Sequence, residues 1–116
     1  MKTRELLEAA ATLLLFPDAW AQYGLAYDAR GFEANPYSDD AECWDATAAI
    51  AVMAGGPRRV NSAEVDAAYD LLEDYCRHNF RQSIDEFNDA FPQSAEVVAS
   101  ALLETAAEMY RLEYPT

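Results

Sequence analysis

The stretch from Ala46 to Ala54 carries no charged residue. Ile50, Val52 and Met53 stand among alanines there, so the segment has no polar face at helical spacing. A helix that is apolar all round has to be enclosed by other elements. The chain is therefore predicted to be mainly α, a single compact domain over residues 1–116 of about five helices around a buried Ala-rich central helix. Alanine supports this reading, because it is the best helix former and occurs 23 times in 116 residues, against 4 Gly and 5 Pro. Asp39 and Glu42 fit the N-cap and N3 positions of a capping pattern for this helix, and Gly55-Gly56-Pro57 ends it.

The flanking elements follow from spacing. Leu6, Ala10, Leu13 and Leu14 form one stripe of a first helix running from about Thr3, its expected N-cap, to Phe16, before Pro17. Lys2, Arg4, the run Ala9 to Phe16 and Ala19-Trp20-Ala21 outline a secretory leader, but Glu5 and Glu8 interrupt it and its apolar positions are helically spaced, so a folded helix is expected. Tyr23, Leu25 and Tyr27 alternate like a strand, Asp28-Ala29-Arg30-Gly31 suits a turn, and Phe32 opens a return limb ending at Asn35-Pro36. Together they predict a small β-hairpin near residues 23–34. Asn61 with Glu64 opens a helix to about His78 with Val65, Tyr69, Leu72 and Cys76 inward. Ser83 with Glu86 opens a short one with Ile84 and Phe87 inward. Ser94 begins the last, to about Arg111, with Val98, Ala101, Leu102, Thr105 and Met109 inward.

Charge narrows the function classes. There are 21 acidic residues against 8 Lys plus Arg, a net charge of −13. Direct nucleic-acid binding needs a basic patch, and anionic membranes repel such a chain, so neither is an expected partner. No run reaches the length of a membrane span. Cys43 and Cys76 are the only cysteines and are read as reduced thiols in a cytoplasmic protein.

Motifs with a mechanism are lacking. His78 lies two residues after Cys76, a spacing that points the two to different faces of a helix, so His78 is read with Arg77 and Arg81 as complementing the negative end of that helix. There is no CxxC, HExxH, calcium loop or Gly-rich phosphate loop. The expected protein is not an enzyme and uses no metal or cofactor.

The acids themselves are the lead. Asp66, Asp70 and Asp74 follow one another at i, i+4 and i+8, each step rising about 6 Å along one helix face. Glu73 flanks this row. No base occurs from Asn61 to Tyr75 or from Gln82 to Tyr110. Such a face keeps a protein soluble; it also imitates the phosphates of a nucleic-acid strand and suits a basic groove on a protein partner. Asp39, Asp40, Glu42 and Asp45 form a second candidate patch. Trp20, Tyr23, Tyr27, Phe32 and Tyr37 crowd into a short span around the hairpin and are expected to cover the core; exposed, they would be interface anchors.

In chain order come an amphipathic helix, Trp20-Ala21-Gln22, Ala26-Tyr27-Asp28, Cys43 at the start of an Ala-rich helix, and Ile84 with Phe87-Asn88-Asp89 before a last amphipathic helix. This order resembles a small bacterial domain family of unknown function, met mostly in actinobacteria and their phages, with Trp-x-Gln, Cys-x-x-Gly-Ala and Trp-Asn-Asp elements. The resemblance covers most of the chain. Ala46 stands where the family has Gly, and Phe87 where it has Trp. The resemblance implies a helical fold and no established activity. Gln22, Asn88 and Asp89 are read as capping helices and turns.

Three functions stay open: a non-enzymatic acidic inhibitor of a basic, nucleic-acid-handling protein, as phages deploy against host defence; a small-ligand binder or enzyme with a pocket near Trp20, Cys43 and Asn88; and a self-associating scaffold unit, which the charge opposes.

Overall fold

The structure, a computed structural model, describes residues 2–56 and 62–113. Five helices carry the core: α1 (Thr3–Leu14), α2 (Ala46–Met53), α3 (Ala63–Phe80), α4 (Ile84–Asn88) and α5 (Ala95–Glu113). A two-stranded antiparallel ribbon, β1 (Ala26–Tyr27) and β2 (Cys43–Trp44), lies between α1 and α2 in the chain. The protein is mainly α, and none of the described helices is long and apolar enough to cross a membrane.

Helix α2 sits where its composition requires. Ala46, Ala48, Ala49, Ile50 and Ala51 are buried, and the helix touches α1, α3, α4 and β2. Helix α1 lies along α5 and also meets α2 and α3, which encloses Leu6, Leu7, Ala10, Ala11 and Leu14. The inward stripes of the later helices match expectation: Val65, Leu72 and Cys76 on α3, Ile84 and Phe87 on α4, Val98, Ala101, Leu102 and Thr105 on α5 are buried, with Tyr69 and Met109 packed at the edge. The buried hydroxyl of Thr105 donates to the Ala101 carbonyl at 2.7 Å, so it is satisfied within its own helix.

Several boundaries move, each for a hydrogen-bonding reason. Lys2, not Thr3, occupies the cap of α1, and its backbone NH donates to the Glu5 carboxylate at 3.2 Å. Thr3 is buried instead, its hydroxyl donating to the Glu64 carbonyl at 3.1 Å and tying α1 to the first turn of α3. Helix α1 stops at Leu14, leaving Leu15 and Phe16 exposed ahead of Pro17. At α3 the cap is Ser62, whose hydroxyl accepts from the Val65 NH at 3.3 Å; Asn61 lies outside the described residues, as does Pro57 after α2. Gly55 and Gly56 end α2 at φ +113° and +93°, a conformation that favours glycine. The Ser83–Glu86 capping box forms as expected, with both reciprocal bonds, and Ser94 accepts from the Val97 NH to open α5.

The expected hairpin near residues 23–34 forms, and a further strand pairs with its first limb. Its turn forms as expected: the Asp28 carboxylate accepts from the NH groups of Arg30 and Phe32 at 2.9 and 3.0 Å, and Gly31 adopts φ +87°. The return limb pairs through the bridge between Tyr27 and Glu33, with the Asp28 NH donating to the Phe32 carbonyl at 2.8 Å and the Ala34 NH to the Ala26 carbonyl at 3.1 Å. The ladder partner is β2, with Ala26 opposite Trp44 and Tyr27 opposite Cys43. This displaces the start of the second helix. The NH of Glu42 donates to the Tyr27 carbonyl, that of Trp44 to Ala19 and that of Asp45 to Leu25, at 2.8 to 3.0 Å. A helix opening at Asp39 would break all three bonds. The cap of α2 is therefore Asp45, whose carboxylate accepts from the Ala48 NH at 2.7 Å, while Asp39 and Glu42 lie exposed in the connecting loop.

Candidate functional site

Asn88, the last residue of α4, is 1% exposed, and all four hydrogen-bonding positions of its amide are occupied. Its oxygen accepts from the Trp20 indole NH at 2.9 Å and from the Ala46 NH at 3.1 Å. Its nitrogen donates to the Ala21 carbonyl at 2.9 Å and to the Asp89 carboxylate at 3.0 Å. Gln22 donates to the carbonyls of Asn88 and Ala90, both at 3.1 Å, and the Asp89 carboxylate also accepts from the Tyr23 NH at 2.9 Å. Side chains separated by more than sixty residues thus form one clasp joining the loop after α1, the start of α2 and the end of α4. Asp89 is the C-cap of α4 as expected, while Trp20, Gln22 and Asn88 tie elements distant in sequence and go beyond local capping. Phe87 is buried and stacks on Phe80 with ring centroids 4.6 Å apart.

Beside the clasp lies an open cleft of about 750 Å³, bordered by Trp20, Gln22, Cys43, Asp18, Asp28 and Glu42. The cleft lies beside Trp20 and Cys43, two of the three residues named for a ligand pocket; Asn88 does not line it and its amide is fully engaged. Burial raises the Cys43 thiol above its ordinary value, and its sulfur contacts the Tyr27 carbonyl at 3.8 Å, so it is held as a thiol. Cys76 is buried in the core, which pushes it up to about 12. His78 is exposed, so Cys76 and His78 do point to different faces. Among the described residues no three His, Cys, Asp or Glu side chains gather to hold a metal ion.

The acids divide into two kinds. Asp66, Asp70 and Asp74 are exposed along α3, and none belongs to an ion pair among the described residues. Asp39, Asp40 and Glu42 are exposed in the loop before β2. Glu73 is different: one oxygen meets Arg77 Nε at 2.8 Å and the other accepts from the Ile84 NH at 2.9 Å, so its carboxylate anchors the start of α4. Asp45 is 6% exposed at the α2 cap. Burial, with Asp85 and Asp89 nearby, raises it to about 7 against the pull of the Ala48 NH.

Asp74 also borders a groove of about 440 Å³ between α3 and α5, facing Glu104 and Glu108, with Tyr75, His78 and Arg111 completing its walls. Burial and then Glu104 raise the Tyr75 hydroxyl. Glu104 and Glu108 were not singled out in the sequence because only the α3–α5 packing brings them beside Asp74. Their i, i+4 spacing was the available signal. Tyr23 and Phe32 are exposed, while Trp20, Tyr27 and Tyr37 are half-buried, so the aromatic cluster covers the core only in part.

Comparison with curated proteins and with solved structures finds no match. A family described only as one of unknown function matches residues 1–108, nearly the whole chain. That match spans both the clasp and the acidic face, and the chain belongs to this family, DUF6197.

Proposed function

We propose that the chain is a non-enzymatic acidic protein that occupies a basic groove on a nucleic-acid-handling protein in the cytoplasm, an inhibitor of the kind phages use against host defence. The observation that supports this is the row Asp66, Asp70 and Asp74: three exposed carboxylates on one helix face, without ion pairs among the described residues, leading at Asp74 into the groove shared with Glu104 and Glu108. Exposed carboxylates at one-turn spacing present charge where a phosphate strand would. A partner of complementary charge associates fast and loses affinity as salt rises. Asp45 and Glu73 drop out of the candidate surface, since one is buried and the other anchors α4.

The test is capture of partners from the native host with the protein and with D66N/D70N/D74N side by side, followed by a salt titration of the recovered complex. The expected partner is basic, is lost by the triple variant and dissociates as salt is raised. A complex that survives the triple substitution unchanged, or is indifferent to salt, refutes the reading.

A further inference from the structure

The corner where α4 turns into α5 carries a second surface of different character. A groove of about 460 Å³ opens there, with Phe80, Phe87, Ala90, Pro92 and Val97 as its apolar lining and Gln82, Gln93 and Ser94 as its polar lining. Phe80 stacks on the buried Phe87 with the rings inclined by only 11°, so the exposed part of Phe80 is the aromatic surface offered there. Phe80 and Val97 are exposed, and Phe91, between the lining residues Ala90 and Pro92, is 94% exposed. A phenyl ring left in water forgoes the stabilisation that burial of its apolar surface would bring. The backbone on either side is fixed, because the Ala90 carbonyl accepts from Gln22 at 3.1 Å and the Phe87 carbonyl from Gln93 at 2.7 Å. The surface is therefore organised before anything binds, which lowers the cost of association.

Charge indicates the occupant. Asp85 and Glu86 on α4 and Glu96 on α5 are exposed in the elements that form the corner, and the chain has no Lys or Arg from Gln82 to Tyr110. The Ser83 cap holds the Glu86 carboxyl below its ordinary range, so it stays ionised. Two bases stand nearby: Arg81, the C-cap of α3, adjoins the groove in sequence, and Arg77 helps to lower the Glu86 carboxyl. A second copy would bring a second chain of net charge −13 against the first, and an anionic lipid surface would be repelled in the same way. A segment with its own positive charge meets neither penalty. We propose that the α4–α5 corner, with Phe91 at its lip, docks a partner's peptide segment in which an aliphatic or aromatic side chain is flanked by Lys or Arg.

This surface shares no residue with the α3 row, so the two readings stand or fall separately. The probe is a fluorescent amphipathic Leu/Lys peptide titrated into the whole protein, with backbone amides followed by NMR. The expected shifts fall at Phe80, Phe87, Ala90 and Val97. A control peptide with every Leu changed to Ser and every Lys kept binds about tenfold more weakly or worse. F91S/V97S, which alters only exposed side chains, weakens the Leu/Lys peptide by a similar factor, while D66N/D70N/D74N leaves the corner shifts in place. Equal binding of the two peptides overturns the proposal without recourse to any variant. So do shifts confined to the Asp66–Asp74 face of α3, unchanged binding by F91S/V97S, self-association through this corner, or a Phe91-dependent affinity for phosphatidylcholine vesicles.

Discussion

The clasp around Asn88 and the acidic face of α3 are both polar, and they use polarity in opposite ways. At the clasp each amide position of Asn88 meets a partner, and the side chain is withdrawn from water. On α3, Asp66, Asp70 and Asp74 remain in water without ion pairs among the described residues. A buried and satisfied polar group rigidifies and specifies a fold, whereas exposed like charges add no stability and need another explanation. The difference separates residues that define the fold from residues available to a partner. Trp20, Gln22, Asn88 and Asp89 fall on the first side.

The largest effect should come from breaking the clasp. Asn88→Ala leaves the Trp20 indole NH, the Ala46 NH and the Ala21 carbonyl without their partner in a buried site. Each buried group left unsatisfied costs about 1–3 kcal/mol, so a loss of about 3–5 kcal/mol is expected. Urea denaturation measures it, and Trp emission reports the change at Trp20. A loss below about 1 kcal/mol would mean that water replaces the amide at little cost.

Asp45 tests the boundary between the two kinds of polarity, because it is a carboxylate kept in the buried region. Its folded-state value of about 7 lies above the ordinary 3.8, so the folded protein binds the extra proton. The stability linked to that proton is fully present below about pH 4 and is lost as pH rises through 7. Asn caps as well as Asp, so Asp45→Asn keeps the bond from Ala48 and removes the titration. The unfolding free energy of D45N should gain on that of the native protein between pH 4 and pH 8 by on the order of 1–4 kcal/mol. A gap that does not change with pH would show that Asp45 titrates at its ordinary value.

How much of this was legible in the sequence depended on the range of the interaction. The uncharged Ala46 to Ala54 segment announces a buried helix, and the Ser83–Glu86 and Ser94 caps are legible because cap signals span only a few residues. The start of α2 was misplaced at Asp39 because Cys43–Trp44 is extended by pairing with Ala26–Tyr27, a partnership that no local pattern encodes. The acidic row on α3 could be placed from spacing alone, since one helix carries all of it. The burial of Asp45, the use of Glu73 by the Ile84 NH and the approach of Glu104 to Asp74 all depend on contacts between elements, so periodicity within one element could not reveal them.

A smaller loss should follow from Gln22→Ala. Gln22 makes two neutral hydrogen bonds, to the carbonyls of Asn88 and Ala90, in a half-buried position that water can reach. About 1–2 kcal/mol is expected in urea denaturation. A cost equal to that of Asn88→Ala would make the clasp a single cooperative unit in which no bond can be assigned its own share, and a double-mutant cycle between the two positions would then show strong coupling.

The smallest effect carries the opposite sign. Asp70 stands four residues from both Asp66 and Asp74, so neutralising it removes two like-charge neighbours while leaving every described ion pair intact. Such pairs destabilise by a few tenths of a kcal/mol each, so Asp70→Asn should raise stability by about 0.5 kcal/mol at low salt. The gain should shrink as salt screens the row. A loss of stability would place Asp70 among the structural acids beside Asp45 and Glu73, and would remove the central member of the proposed partner surface. A gain that fades with salt would show that the fold alone would be better off without this carboxylate, so that its presence needs a reason outside the fold.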